Sequence, residues 1–193
     1  MQRSRLLVVA HELLSSGTHQ ELTLRLVAQR AGVTPALAHY YFGNHEGLVS
    51  ALLEERIAPR IEDLVTAARA RAGQPQLALT FLIQRVCALL ATEPVVRRCL
   101  WMPQPAAVRM RDQMRTCLRE LLARAQNMEA LRADLPPEYL ADSLLGLVLF
   151  PFLDADPAAD SSGERAAQLT LQHVALLRDG IMRIHKPRQL SAE

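Results

Sequence analysis

Apolar residues recur along this chain at intervals of three and four. Leu6, Val9, Ala10, Leu13 and Leu14 set one stripe, and Leu24, Val27, Ala28 and Ala31 set a second. That spacing places each set on one face of an α-helix. The polar punctuation agrees. Gly17 stands just beyond the first stripe, where a left-handed cap is wanted. Thr23 is placed to cap the second helix, and Gly32 stops it. Thr34 caps a third, with Pro35 at its first position, where a missing N–H costs nothing. This helix is predicted to reach Tyr41, before Gly43 and Asn44 interrupt it. Asn44 caps a long helix over 45–70, with Glu46 near its positive end. Leu48, Leu52, Leu53, Ile57, Ile61, Leu64 and Val65 mark its buried side, and Pro59 is expected to kink it. Further helices are predicted over 76–91, 94–101, 104–127, 137–153 and 164–184, with Pro94, Pro103, Pro136 and Pro157 near their boundaries. Residues 154–163 read as a small polar loop.

Composition supports an all-α fold. Of 193 residues, 50% are hydrophobic and only 4% aromatic. Leu, Ala, Arg, Gln and Glu, all good helix formers, are abundant, and β-branched runs are short. The formal charge of +2 neither demands nor excludes nucleic acid. Lys186 is the only lysine, a bias of a GC-rich genome rather than of function. Cys87, Cys99 and Cys117 are widely spaced and form no C-x-x-C pair, which fits a reducing cytoplasm. The apolar run 144–153 is too short to span a bilayer and contains Pro151, so no membrane partner is expected.

The stretch 23–42 has the anatomy of a helix-turn-helix. Two short helices flank a turn at Gly32, a residue that tolerates positive φ. Ala28 and Ala31 keep the first helix narrow, so the second can cross it closely. The small residues Thr34, Pro35 and Ala36 let the backbone of the second approach a groove wall. His39, Tyr40 and Tyr41 then supply donors and aromatic faces. Adjacent tyrosines on a short helix cannot both face a core, so at least one is exposed.

The series Leu22, Thr23, Leu24, Arg25, Leu26, Val27 and Ala28, then Ala31-Gly32-Val33-Thr34-Pro35-Ala36, then His39 through Leu48, resembles the DNA-binding segment of the TetR (tetracycline-repressor) family. The detailed likeness covers residues 4 to 53. It implies a bacterial transcriptional regulator with a helix-turn-helix DNA-binding domain at 1–47 and a helical effector-binding and dimerisation domain at 48–193. Carried over by position, the DNA contacts are Thr23, Thr34, Pro35, Ala36, His39, Tyr40, Tyr41 and His45. Val27, Ala28, Ala31, Val33, Phe42 and Leu48 become core residues bracing the recognition helix. Two positions depart from the family pattern: His39 stands for a tyrosine and His45 for a lysine. The charge is also thin, with Arg3, Arg5, Arg25 and Arg30 against Glu12, Glu21 and Glu46 in residues 1–50. Phosphate contacts drive DNA affinity. His11, His19, His39 and His45 are therefore expected to add charge as the pH falls through about 6.5, the ordinary histidine value. Arg3 and Arg5 are either solvated or a basic arm for phosphate.

With the resemblance, Phe81, Trp101, Met110 and Met114 become candidate effector-pocket residues, although apolar residues at helical spacing are more often core. Cys99 and Cys117 read more readily as small buried hydrophobes than as redox sensors. The residues of 139–153 are apolar nearly all round, so that helix is either central or paired with a second copy. The resemblance favours a homodimer through 137–153 and 164–184, with Leu169, Leu171, Val174, Ala175 and Ile181 contributing, on palindromic double-stranded DNA. No nucleophile elbow, metal-ligand spacing or glycine-rich phosphate loop stands out, so neither an enzyme nor a cofactor is expected. The expected function is a repressor released by a small-molecule effector. The alternative is a helical binding or interaction protein with weak or no DNA binding.

Overall fold

A computed structural model describes residues 2–15, 22–100, 103–152 and 164–177. Gly17, Trp101, Leu153, Ile181, the loop 154–163 and the side chain of Cys99 lie outside that description. Ten α-helices account for most of the described residues: α1 Gln2–Ser15, α2 Leu24–Ala31, α3 Pro35–Phe42, α4 His45–Leu52, α5 Ala58–Arg69, α6 Pro75–Thr92, α7 Pro94–Leu100, α8 Pro105–Asn127, α9 Pro137–Leu149 and α10 Glu164–Leu176. Six of them begin with, or one residue before, a proline: α3, α5, α6, α7, α8 and α9. Proline has no N–H to leave unpaired in a first turn.

The N-terminal helices close on a small core. Leu6, Leu7, Ala10 and Leu14 of α1 are buried and pack toward α2 and α4. Val27, Ala28 and Ala31 of α2, Ala38 and Phe42 of α3, and Leu48 of α4 complete it. Phe42 and Leu48 thus brace α3 from below, as expected. Val33 is only partly buried against this core.

The helix expected over 45–70 is not continuous. Leu53–Ile57 forms a π-turn between α4 and α5, in which the Ala58 N–H donates to the Leu53 carbonyl, five residues back. Pro59 explains the interruption: it cannot donate to Glu55, and in a regular helix its ring would strike that carbonyl. A wider turn immediately upstream relieves both problems. The helix expected over 137–153 also ends early. It leaves α geometry at Leu149 and finishes as a tighter turn over Phe150–Phe152, around Pro151.

In the remaining bundle α6 is central, packed by α5, α7, α8, α9 and α10. It is the one helix among the described residues long and apolar enough to cross a membrane. Here its apolar positions serve its neighbours instead: Leu79, Leu82, Ile83, Val86 and Leu90 are buried. Each such leucine contributes about 1.5–3 kcal/mol by leaving water. The turn from α8 to α9 is pinned by Gln126, whose Nε2 donates to the carbonyls of Arg132 (2.9 Å) and Leu135 (2.7 Å).

Candidate nucleic-acid interface

The recognition segment is built from caps and glycines. Thr23 Oγ1 accepts from the Leu26 N–H at 3.1 Å and starts α2. Gly32 ends it at φ 66°, ψ 36°. The Gly32 N–H donates to Gln29 and the Val33 N–H to Ala28, so the last carbonyls of α2 are satisfied while the chain reverses. Thr34 Oγ1 accepts from Leu37 and opens α3. At its other end Gly43 sits at φ 72°, ψ −62°, with the Asn44 N–H donating to Phe42 at 2.8 Å. This is a three-residue γ-turn of the hand that only glycine adopts cheaply. Asn44 Oδ1 accepts from Gly47 at 2.8 Å and caps α4. Gly47 has no room for more: a Cβ there would collide with the Phe42 carbonyl oxygen. The start of α4 therefore lies directly on the end of α3.

These joints leave one face of α3 bare. Thr34, Pro35, Ala36, His39 and Tyr40 are all exposed, Tyr40 to 81%. Ala36, His39 and Tyr40 stand at i, i+3 and i+4 and so share that face. Tyr41 turns the other way. It is half-buried against the core and meets Tyr40 edge-on, with ring centroids 5.4 Å apart. The adjacent tyrosines thus divide, with Tyr40 reaching solvent and Tyr41 bracing it. His39 Nδ1 lies 2.9 Å from the Gly43 carbonyl, which can only accept, so that nitrogen carries the proton and Nε2 is left for another partner.

A groove of about 680 Å³ runs beside this face. Thr23, His39 and His45 border it, together with Arg25 and Asn44. The N-terminal ends of α2 and α4 both open here. Free backbone N–H groups and the positive end of each helix dipole favour an anion at such a place. Arg25 was not among the expected contacts. Its signal was positional, an arginine two residues past the cap Thr23.

Arg3 and Arg5 have duties within the fold. Arg3 pairs with Glu55 of the π-turn and lies over the Phe42 ring at 5.4 Å. Arg5 lies against the Gly32 turn, its Nη2 3.8 Å from where a Cβ would stand.

The candidate effector residues are not gathered in one place. Phe81 borders a groove between α5 and α6. Met110 and Met114 are buried in the bundle core. Met114 touches an apolar void of about 20 Å³ shared with Leu82, Leu118 and Leu144. Cys87 and Cys117 are buried, and burial pushes both thiols up, Cys117 to about 11. Such thiols carry little thiolate near neutral pH.

Residues 6–52 match the sequence model of the bacterial regulatory proteins, tetR family. Over that span the chain is similar to the tetR-family helix-turn-helix. The match spans α1 to α4 and stops where the π-turn begins. Over 72 residues the chain is 33% identical to the HTH-type transcriptional regulator BetI of Rhizobium meliloti (strain 1021), covering 37% of this chain and 36% of that protein. The likeness therefore spans about a third of that relative's length. Solved structures extend it as fold. A TetR/AcrR-family transcriptional regulator from Thermobifida fusca YX-ER1 covers 92% of this chain and 97% of its own at 21% identity, with a TM-score of 0.68. SmeT, the repressor of the Stenotrophomonas maltophilia multidrug efflux pump SmeDEF, covers 95% of this chain and 91% of its own at 17% identity, with a TM-score of 0.68. The tetR-family likeness thus has two grades, one of sequence over α1–α4 and one of helix arrangement beyond.

Proposed function

We propose that this chain is a homodimeric, ligand-responsive transcriptional regulator, a repressor that binds a palindromic operator in the cytoplasm. Residues 1–47 bind DNA, and residues 48–193 bind the effector and dimerise. The observation that carries this reading is the bare face of α3 beside a groove onto which two helix N-termini open. Thr34, Pro35, Ala36, His39 and Tyr40 enter the major groove. Thr23, Arg25 and His45 hold the flanking phosphates, and Tyr41 supports the aromatic edge. An α-helix fits the major groove, and contacts at its N-terminal end read bases while cap-bearing neighbours fix the backbone.

Pairing with a second copy is supported by apolar side chains left uncovered on the last helices. Phe150 is 67% and Leu171 73% exposed, with Leu147 and Leu176 partly so. Leu169 and Val174 already pack partly on the core. An effector is in keeping with SmeT, which has been solved with triclosan. A ligand that favours the non-binding spacing of the two heads lowers operator affinity.

Fluorescence anisotropy with DNA from upstream of the chain's own gene tests the reading. Salt-sensitive binding is expected, and Tyr40→Ala should cost about 1–3 kcal/mol. Absence of binding to any genomic fragment would leave a helical small-molecule-binding protein, the reading that the thin positive charge favours.

A further inference from the structure

The groove between α5 and α6 has a volume of about 550 Å³. That is the size of a small-molecule site, whereas the void at Met114 holds about 20 Å³. Leu64 from α5 and Leu89 from α6 give it apolar walls, with Phe81 toward one end and Glu93 at the other. Its wall carries two cations, Arg60 and Arg85, and two carboxylates, Asp63 and Glu93. Arg85 lies over the Phe81 ring at 5.9 Å, and Arg71, outside the groove lining, lies over the same ring at 4.1 Å. Glu93 is already engaged, by Arg60 from α5 and by His11 Nε2 from α1 at 3.5 Å. Arg85 has no ion pair among the described residues.

We propose that this groove binds a small organic anion with an apolar body, and that the bound anion draws Arg60 away from Glu93. The anionic group is held by the planar guanidinium of Arg85, which matches a carboxylate in two places. The apolar body lies along Leu64 and Leu89. Glu93 follows the last residue of α6 and precedes Pro94, the first of α7. Its carboxylate is thus a joint between α1, which packs against the helix-turn-helix, and the helices that form the groove. Losing Arg60 loosens that joint. Operator binding and anion binding then oppose one another by the same factor in each direction. This rests on the regulator reading for its consequence but not for the site itself.

Phenylacetate is a suitable probe, with phenylacetamide as its uncharged counterpart, on the full-length protein. Saturation-transfer NMR should show phenylacetate bound and the amide not. Arg85 is exposed, so Arg85→Gln leaves the fold intact. It should weaken phenylacetate about ten- to hundredfold, the worth of one charge-assisted contact. Arg85→Lys should recover part of the loss. In operator anisotropy, phenylacetate should weaken DNA binding by the wild type and leave Arg85→Gln unchanged. Equal binding of acid and amide, or binding indifferent to Arg85→Gln, overturns the site even if operator binding stands. Binding through Arg85 with no change in operator affinity overturns the coupling. Absence of operator binding in the wild type removes the regulator reading, and Arg85-dependent phenylacetate binding then upholds the site alone.

Discussion

The N-terminal helices and the bundle behind them are held together in different ways. In α1–α4 the shape is set by backbone devices at fixed points: Thr23, Thr34 and Asn44 as caps, Gly32 and Gly43 as turns, and Gly47 as a contact with no spare space. In α5–α10 it is set by filled volume around α6. Point devices demand particular residue types. Volume can be filled in many ways, provided pattern and size are kept. This difference is in keeping with a family sequence model that matches residues 6–52, while nearly the whole chain resembles its structural neighbours at 17–21% identity.

The contrast can be broken most sharply at Gly47. Gly47→Val must push α4 off the Phe42 carbonyl, and the cost should exceed about 4 kcal/mol. Urea denaturation followed by circular dichroism would measure it. A mild loss would mean that α3 and α4 separate easily. In the bundle, Leu79→Ala should cost about 2–5 kcal/mol, whereas Leu79→Met should cost under about 1.5 kcal/mol. If Met proves as damaging as Ala, the bundle too depends on exact shape. Smaller again is Thr34→Ala, expected to remove about 1 kcal/mol with the cap. Operator anisotropy on the same variant separates the cap from any contact to DNA.

The smallest effect expected is a pH dependence within the bundle. His173 is buried on α10, its Nδ1 3.8 Å from Cys87 Sγ. Burial holds its imidazole below the ordinary value. The unfolded chain therefore takes up a proton first as the pH falls. This contribution to stability is whole above about pH 6.5 and is lost as the pH drops toward and through the lowered folded value. Urea melts at pH 7.5, 6.5 and 5.5 should show the decline, and His173→Leu should make it shallower. An unchanged slope in the variant would assign the decline to carboxylates.

Legibility followed the same division. Thr23, Thr34, Asn44 and Gly32 could be placed from sequence because a cap or left-handed turn is decided within four residues. That one of Tyr40 and Tyr41 is exposed followed from their adjacency, but not which of the two. In the bundle, helix existence was legible from period, but facing was not. Phe81 and Met114 read alike as apolar pocket material, yet they border different spaces, because the crossing of α6 over α5 and α8 decides which side is open. Glu93 gave no signal at all. Its neighbours in the sequence say nothing of His11 and Arg60, which reach it from distant helices. Pro59 announced an interruption, but whether the strain leaves as a bend or as a widened turn depends on the carbonyls around it.

That widened turn has an evolutionary consequence. Leu53–Ile57 holds one residue more than the α-helical turn it replaces. Remove that residue together with Pro59's constraint, and the helix on either side keeps its phase, since the surplus is confined to the turn. With Pro59 replaced, the gene can lose that codon while both buried stripes stay aimed at their own cores. It is a natural seam between the four N-terminal helices and the bundle that follows them.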